Sequence, residues 1–284
     1  MKRMESALAE QITAEEIPAE YVSDEQVPVH GAGACTVKLT PRDRPDVHGI
    51  AASLVARHPM SAAEIGDPIQ LVIATRAFLE DILTGDQRGE IAIVSSFGAE
   101  SAVLLHLVAC VEASAPVIFL DTGKHFAQTL SYRKKLAQRF NLSNVIDVTP
   151  DQTDLHAHDP AGDLWRRDAD ACCQVRKVRP LREILARYRG WVTGRKQFQG
   201  GGRIALPIVE IVDGQLKFNP LALWSRQSVL DYAEQHNLPA HPLVAQGFPS
   251  IGCWPCTKPV DAADDPRAGR WQGADKTECG IHQI

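Results

Sequence analysis

The stretch Ile91-Ala92-Ile93-Val94-Ser95-Ser96-Phe97-Gly98-Ala99-Glu100 decides the fold. Four β-favouring residues run straight into small hydroxyl residues and a glycine, after which Val103, Leu104, Leu107 and Val108 recur at helical spacing. That is a strand, a tight turn and a buried helix in succession. The order repeats downstream. Val117-Ile118-Phe119-Leu120 reads as a second strand ending at Asp121-Thr122-Gly123, with a helix over about 126–140 and a third strand over 145–148. A helix over about 178–188 then precedes a strand at Trp191-Val192-Thr193, a turn falls at Asp213-Gly214, and a helix runs from Ser225 to His236. Units repeated this way predict an α/β fold with a parallel, doubly wound sheet.

Upstream, Leu71, Val72, Ala74, Phe78, Leu79 and Ile82 predict a helix that opens after Asp67 and stops near Gly85. Residues 1–65, rich in Ala, Glu and Pro and broken at Pro28, Pro41, Pro45 and Pro59, read as a poorly packed N-terminal extension carrying Cys35. The expected division is therefore this extension, an α/β nucleotide-binding domain over 66–245, and an irregular C-terminal segment over 246–284.

The chain has 284 residues, 44% of them hydrophobic and 23% charged, which suits one principal globular domain. Its 30 Lys and Arg against 35 Asp and Glu give a formal charge of -5. That balance excludes a protein that coats nucleic acid, while local basic clusters remain available for a small anion. No apolar run approaches the roughly 18 residues of a membrane span, and the charges within Met1 to Glu10 do not resemble a signal peptide. The expected location is the cytoplasm, with neither membrane nor nucleic acid as partner. Seven cysteines, an odd number in a reducing compartment, point to metal binding or thiol chemistry.

Open α/β sheets bind ligands beyond the carboxyl ends of their strands. The residues there are Ser95, Ser96, Phe97 and Gly98, then Asp121, Thr122 and Gly123, then Thr193-Gly194-Arg195-Lys196. Small residues before a helix offer backbone N–H groups and a helix dipole to an anion. Each loop alone is an ordinary turn; three in succession make a pocket. The first is no Walker A loop, because no Gly-Lys-Ser or Gly-Lys-Thr follows.

Five of the cysteines fall in three groups: Cys172-Cys173, Cys253-Trp254-Pro255-Cys256, and Cys279 within Glu278-Cys279-Gly280-Ile281-His282. Adjacent thiolates are strained ligands for one small ion, whereas a [4Fe-4S] cubane offers each its own iron. Cys172, Cys173, Cys253 and Cys256 are therefore candidate cluster ligands, with zinc as the competing metal and plain core cysteines as the bland reading. Lys177, within a turn of the pair, offsets thiolate charge. Cys279 is left over as a candidate nucleophile. His125, His156 and His158 lack the partnering pattern of metal ligands and read as loop residues; His282 either positions a proton or, on the favoured reading, solvates the tail, and Trp165, Trp254 and Trp271 shield the cluster or, as favoured, pack the core.

The runs Cys172-Cys173-Gln174-Val175-Arg176-Lys177-Val178-Arg179-Pro180-Leu181, Gly252-Cys253-Trp254-Pro255-Cys256-Thr257-Lys258-Pro259 and Glu278-Cys279-Gly280-Ile281-His282 together resemble the cluster-bearing assimilatory adenylyl-sulfate reductases. These are a branch of the adenosine phosphosulfate and phosphoadenosine phosphosulfate (APS/PAPS) reductase family. The resemblance extends from about residue 67 to the end. It implies an adenine-nucleotide α-hydrolase-like fold, a [4Fe-4S] cluster, a homo-oligomer, and reduction of adenylyl sulfate to sulfite and AMP by thioredoxin or glutaredoxin, in sulfate assimilation and cysteine biosynthesis. Carried over by residue, Ser95 to Gly98 and Asp121 to Gly123 would meet the nucleotide. In Thr193-Gly194-Arg195-Lys196-Gln197-Phe198-Gln199, Lys196 and Gln197 stand where the family has two arginines, leaving Gly194 and Lys196 as substrate contacts. Arg267 and Arg270 match the pair that holds the phosphosulfate, and Lys177 adds charge. Cys279 would take the sulfonate as S-sulfocysteine. Cys35 and Cys110, in the extension and on an apolar helix face, leave no spare internal thiol, so an external dithiol releases the sulfite.

Three other readings compete. One is a reductase for the 3'-phosphorylated nucleotide, against which the cysteine shell counts. Another is an ATP pyrophosphatase of tRNA thiolation, which needs a Ser-Gly-Gly-x-Asp-Ser loop that Ser95 to Ser101 lacks. The third is a zinc-stabilised binding module with Cys279 idle.

Overall fold

The apolar runs become four-residue strands of one six-stranded sheet in the computed structural model, which describes residues 46–59, 66–85, 88–261, 264–271, 276 and 278–282. These residues belong to a single unit, Pro45–Ile284; Cys35 lies outside them. The strands are β1 (Ile91–Val94), β2 (Val117–Leu120), β3 (Val145–Val148), β4 (Gly190–Thr193), β5 (Val209–Val212) and β6 (Gln215–Phe218), ordered β3-β2-β1-β4-β6-β5. All neighbours pair in parallel except β5 and β6. The all-parallel expectation is thus corrected at one edge. Asp213 and Gly214 have φ of 51° and 78°, and two successive left-handed residues fold the chain back as a tight hairpin.

Alternation along the strands assigns side chains to two cores. Ile91, Ile93, Val117 and Phe119 face one cluster, with Phe78, Leu79 and Ile82 of α2 (Pro68–Leu83) and Leu104, Leu107 and Val108 of α3 (Ser101–Glu112). Ala92, Ile118, Leu120 and Trp191 face the other, with Leu181 and Leu185 of α8 (Arg179–Leu185). Helices on both faces are what doubly wound means. Asp67 caps α2 by accepting from Ile69 and Gln70 N–H, and Ser225 caps α9 (Arg226–Gln235) by accepting from Ser228 N–H.

The expected extension is corrected over part of its length. Residues Val47–Arg57 form a helix, α1, whose Val47, Ile50, Ala51 and Leu54 recur on one stripe and join the first core, Leu54 being 4% exposed. The flanking Pro45 and Pro59 obscured that spacing. Between β3 and α8 lie three short helices, α5 (Gln152–His158), α6 (Leu164–Arg167) and α7 (Ala169–Cys173), followed by a π-helical turn over Gln174–Val178; α4 (Ala127–Arg139) precedes β3. Beyond residue 239 the described residues hold only short 3-10 turns outside irregular chain, as predicted, and are tied by backbone hydrogen bonds such as Trp254 N–H to Lys124 C=O at 2.8 Å and Trp271 N–H to Cys256 C=O at 3.1 Å. Among the described residues no helix is long and apolar enough to cross a membrane.

Replacing Leu54 by Ala should cost about 2–4 kcal/mol in a denaturant titration, the scale for truncating a buried leucine. A cost below about 0.5 kcal/mol, the level of an ordinary surface substitution, would detach α1 from the core.

Candidate active site

A cavity of about 270 Å³ opens at the carboxyl ends of β1 and β4 and is closed on its far side by the C-terminal segment. Ser95, Ser96, Gly98, Gly194, Lys196, Lys177, Arg267, Arg270 and Cys279 line it together, as their chain positions suggested. Gly98 is small for a reason: a Cβ there would lie 3.3 Å from Ser96 Oγ and 3.4 Å from the Ile251 carbonyl.

Phe97, expected beside the nucleotide, does not line the cavity. Its φ of 48° turns the ring into the core, edge-on to Phe119 at 5.6 Å. A bulky residue in the left-handed region costs free energy, here offset by full burial of the ring. Asp121, Thr122 and Gly123 also stand outside the cavity wall. Thr122 is fully buried, with Oγ1 3.2 Å from Cys253 Sγ and its carbonyl accepting from Arg176 Nη1 at 2.8 Å. The bond from Trp254 N–H to Lys124 C=O pulls this loop towards the Cys-Trp-Pro-Cys turn.

Lys196 is engaged already. Its ammonium donates to Glu100 Oε2 at 2.9 Å and to the Gly194 carbonyl at 2.8 Å; burial lowers its pKa while Glu100 opposes that shift. Gln199 bridges the same Glu100 oxygen, at 2.8 Å, to Arg203. Gln197 turns away and donates to the Leu206 carbonyl at 3.0 Å. Arg203, Gln199, Glu100, His125 and Glu278 also line the cavity, although the motif reading gave them no part in a site. The run Gly200-Gly201-Gly202-Arg203 was the available signal for Arg203: a chain free to bend, ending in one fixed cation.

The grouped cysteines lie in one region: Cys253 and Cys256 are near enough to Cys172 to act on its titration, and Cys173 packs with Cys256 and Cys279. Cys172, Cys173 and Cys253 are buried and Cys256 half-buried. Burial pushes the Cys172 thiol up to about 11, with Cys253 and Cys256 near enough to add to the shift. Burial likewise raises Cys256. Cys279 is 6% exposed and packs with Cys173 and Trp271. A hydrogen bond from the Cys173 thiol holds Cys279 well below the usual thiol range; Lys177, the Ile281 N–H and Arg270 add to this against the opposing effect of burial. Lys177 Nζ donates to Cys279 Sγ at 3.9 Å. Burial alone would lower the lysine pKa, but Cys253, Cys279 and Cys173 reverse the shift and raise it. Among the described residues no three His, Cys, Asp or Glu side chains gather closely enough to hold a single metal ion.

Arg270 stacks on Trp271 at 4.5 Å, and its Nε is buried without a partner. His125 and His282 each keep an unpartnered Nδ1; burial holds His282 well below the usual histidine range. His125 lies in the loop between β2 and α4, as expected, and lines the cavity; His156 and His158, expected in a loop, fall instead in the last turn of α5. Trp254, 46% exposed, meets Trp165 edge to face at 5.7 Å, so it packs on one side only. Cys110 is exposed, not apolar-facing, with Sγ 3.8 Å from His106 Nε2.

Residues 90–259 match the phosphoadenosine phosphosulfate reductase domain family. The chain is similar to the adenosine 5'-phosphosulfate reductase of Mesorhizobium japonicum, at 53% identity over 193 residues covering 68% of this chain and 76% of that one. It is similar to the protein of the same name from Mycobacterium tuberculosis, at 44% identity over 185 residues covering 64% and 72%. Among solved structures, the phosphate complex of phosphoadenylyl-sulfate reductase from Candida auris shares the fold, with a TM-score of 0.52, 24% identity, and coverage of 64% of this chain and 90% of that one.

A Cβ on Gly252 would lie 2.2 Å from Arg270 Nη2 and so must move the guanidinium, which is packed on Trp271. Gly252→Ala should weaken AMP binding by about tenfold, the loss of one charge-assisted contact. Unchanged affinity in calorimetry would remove Arg270 from the anion site.

Proposed function

This chain belongs to the phosphoadenosine phosphosulfate reductase domain family, and we propose that it reduces adenylyl sulfate to sulfite and AMP through a covalent sulfonate on Cys279. The observation that carries the reading is the junction of Cys279 and Lys177 at the wall of a cavity lined by arginines. The names of the similar proteins support the same substrate.

The sulfur of a sulfate is shielded by anionic oxygens, so attack requires that charge to be neutralised and a good leaving group. Arg267, Arg270 and Lys177 line the cavity and supply fixed positive charge, which counts for more in a site closed to water. The mixed anhydride supplies the leaving group. The Cys279 thiolate attacks the sulfur, the bond from sulfur to the phosphate oxygen breaks, and its electron pair leaves with AMP. No proton has to move in that step. Ser95, Ser96 and Gly98, just ahead of α3, are the proposed phosphate cradle, with Gly194 and Lys196 opposite. Phe97, Asp121, Thr122 and Gly123 have a supporting part: they shape the cradle from behind and hold the cysteine loop.

S-sulfocysteine is then attacked at the Cys279 sulfur by a thiolate of an external dithiol, thioredoxin or glutaredoxin. Sulfite leaves, and the second thiol of the dithiol resolves the mixed disulfide and restores Cys279. Cys279 must emerge from burial for this, which is eased because the segment around it is clipped by polar contacts, Glu278 to the Cys279 N–H and Lys217 to the His282 carbonyl.

Cys172, Cys173, Cys253 and Cys256 would hold a [4Fe-4S] cluster. What supports this is the donor chemistry: four thiols, three buried and one half-buried, faced by Lys177 and Arg270, which lie near enough to perturb or be perturbed by them. The bound cluster supplies charge and rigidity, because the dithiol already brings the electrons the reaction needs.

Cys279→Ser should abolish sulfite release while leaving bound iron and acid-labile sulfide intact; retained activity would disqualify the nucleophile. Lys177→Ala should lower the rate by about a hundredfold, the scale of removing one preorganised donor, and an unaffected rate would deny the lysine its part. Turnover with the 3'-phosphorylated nucleotide should be poor, and a preference for it would replace the substrate named here.

A further inference from the structure

The anion seat of this cavity has a tenant from the chain itself. Glu278 projects inward and accepts from Arg203 Nε at 2.6 Å and Nη2 at 2.8 Å, while Arg267 Nη2 lies 3.3 Å from the same carboxylate. Both arginines line the cavity beside Arg270 and Lys177. A carboxylate gripped by a guanidinium fork offers paired anionic oxygens in the arrangement that phosphate and sulfonate also offer. Burial would raise the carboxyl, but the Arg203 fork, helped by the Cys279 N–H, holds it down to about 2, and the two-point grip of the guanidinium keeps it a carboxylate.

The same carboxylate positions the reactive tail. Oε1 of Glu278 accepts from the Cys279 backbone N–H at 3.0 Å. On the other side of the cysteine, the carbonyl of His282 accepts from Lys217 Nζ at 3.0 Å, and Lys217 is a fully buried cation of β6. The tail is therefore clipped before and after Cys279, which rests at 6% exposure against Cys173 and Trp271. Only the first clip uses the cavity arginines. An anion that takes Arg203 and Arg267 competes with Glu278 for them, whereas the Lys217 clip is untouched.

We propose that Glu278 is a positioning residue that occupies a substrate-anion seat in the resting protein, and that the incoming phosphosulfate displaces it and so frees Cys279 from its sheltered position. The proposal deepens the function given above and rests on it for the identity of the anion. Coupling of this kind is reciprocal: if anion and docked carboxylate exclude each other, weakening the carboxylate must strengthen the anion by the same factor. A carboxylate that merely supported the site would show the opposite sign.

The test uses the full chain, AMP and inorganic sulfate as unreactive probes, and alkylation of Cys279 read on the tail peptide by mass spectrometry. In the wild-type protein AMP should accelerate alkylation. Glu278→Gln should bind AMP about tenfold more tightly, the scale of one charge-assisted contact, and should alkylate rapidly without any ligand. Glu278→Asp, which keeps the charge but loses the reach to the fork, should also alkylate faster than wild type, and melting curves will show whether each variant folds. Weaker or equal AMP binding by Glu278→Gln, or an alkylation rate indifferent to both AMP and the substitutions, would overturn the proposal. If no protein binds AMP, the nucleotide reading falls, and sulfate still reads the seat: tighter sulfate binding by Glu278→Gln supports the displacement, and equal binding refutes it.

Discussion

A half-buried ammonium facing thiols is the interaction on which the rest of this structure depends. Taking a charge out of water is costly unless an opposite charge comes with it. Lys177 donates to Cys279, and the surrounding cysteines raise its pKa where burial alone would depress it. The dependence is mutual, because without the lysine the Cys279 thiolate would lose the cation that donates to it. The π-helical turn Gln174–Val178 places Lys177 four residues after Cys173, in the kind of widened turn that recurs at functional sites. Arg176, within the same turn, is pinned by Asp159 at 2.6 Å and by the Thr122 carbonyl, which fastens the cysteine-bearing segment to the end of β2.

The sheet serves this arrangement by bringing distant segments to one end. β1 delivers the Ser95-Ser96 loop, β2 the Thr122 brace and β4 the Gly194-Lys196 loop, all at the carboxyl ends where parallel strands present their loops together. The C-terminal segment has little core of its own. It is held by a bridge between Thr257 and Arg270, by backbone bonds to the β2 loop, and by the cation–π stack of Arg270 on Trp271. A segment held mainly by polar contacts can open at less cost than a buried strand, which suits the proposed reaction, in which the cysteine meets first a nucleotide and then a protein thiol.

What was legible in the chain follows from burial. β1, β2 and β4 are buried almost throughout and read as unbroken apolar runs. β5 and β6 alternate in character, and only their turn at Asp213-Gly214 stood out, so their antiparallel sense waited for the structure. α1 was hidden by the prolines around it. In the site, Lys177, Arg267, Arg270 and Cys279 converge as their motifs implied, because each motif carries its own charge or thiol. Phe97 could not be placed from its neighbours, since one left-handed φ decides which way its ring turns. Arg203 and Glu278 were missed for a different reason: their pairing joins residues 75 apart, and no local pattern encodes it.

The account stands or falls on a covalent bond between Cys279 and the sulfonyl group. The most direct measurement mixes the metal-replete protein with adenylyl sulfate in the absence of any dithiol and follows AMP release together with the mass of the tail peptide. The account predicts one AMP per active chain and a sulfonate adduct confined to Cys279. Release of AMP without that adduct, or an adduct on another cysteine, would contradict it.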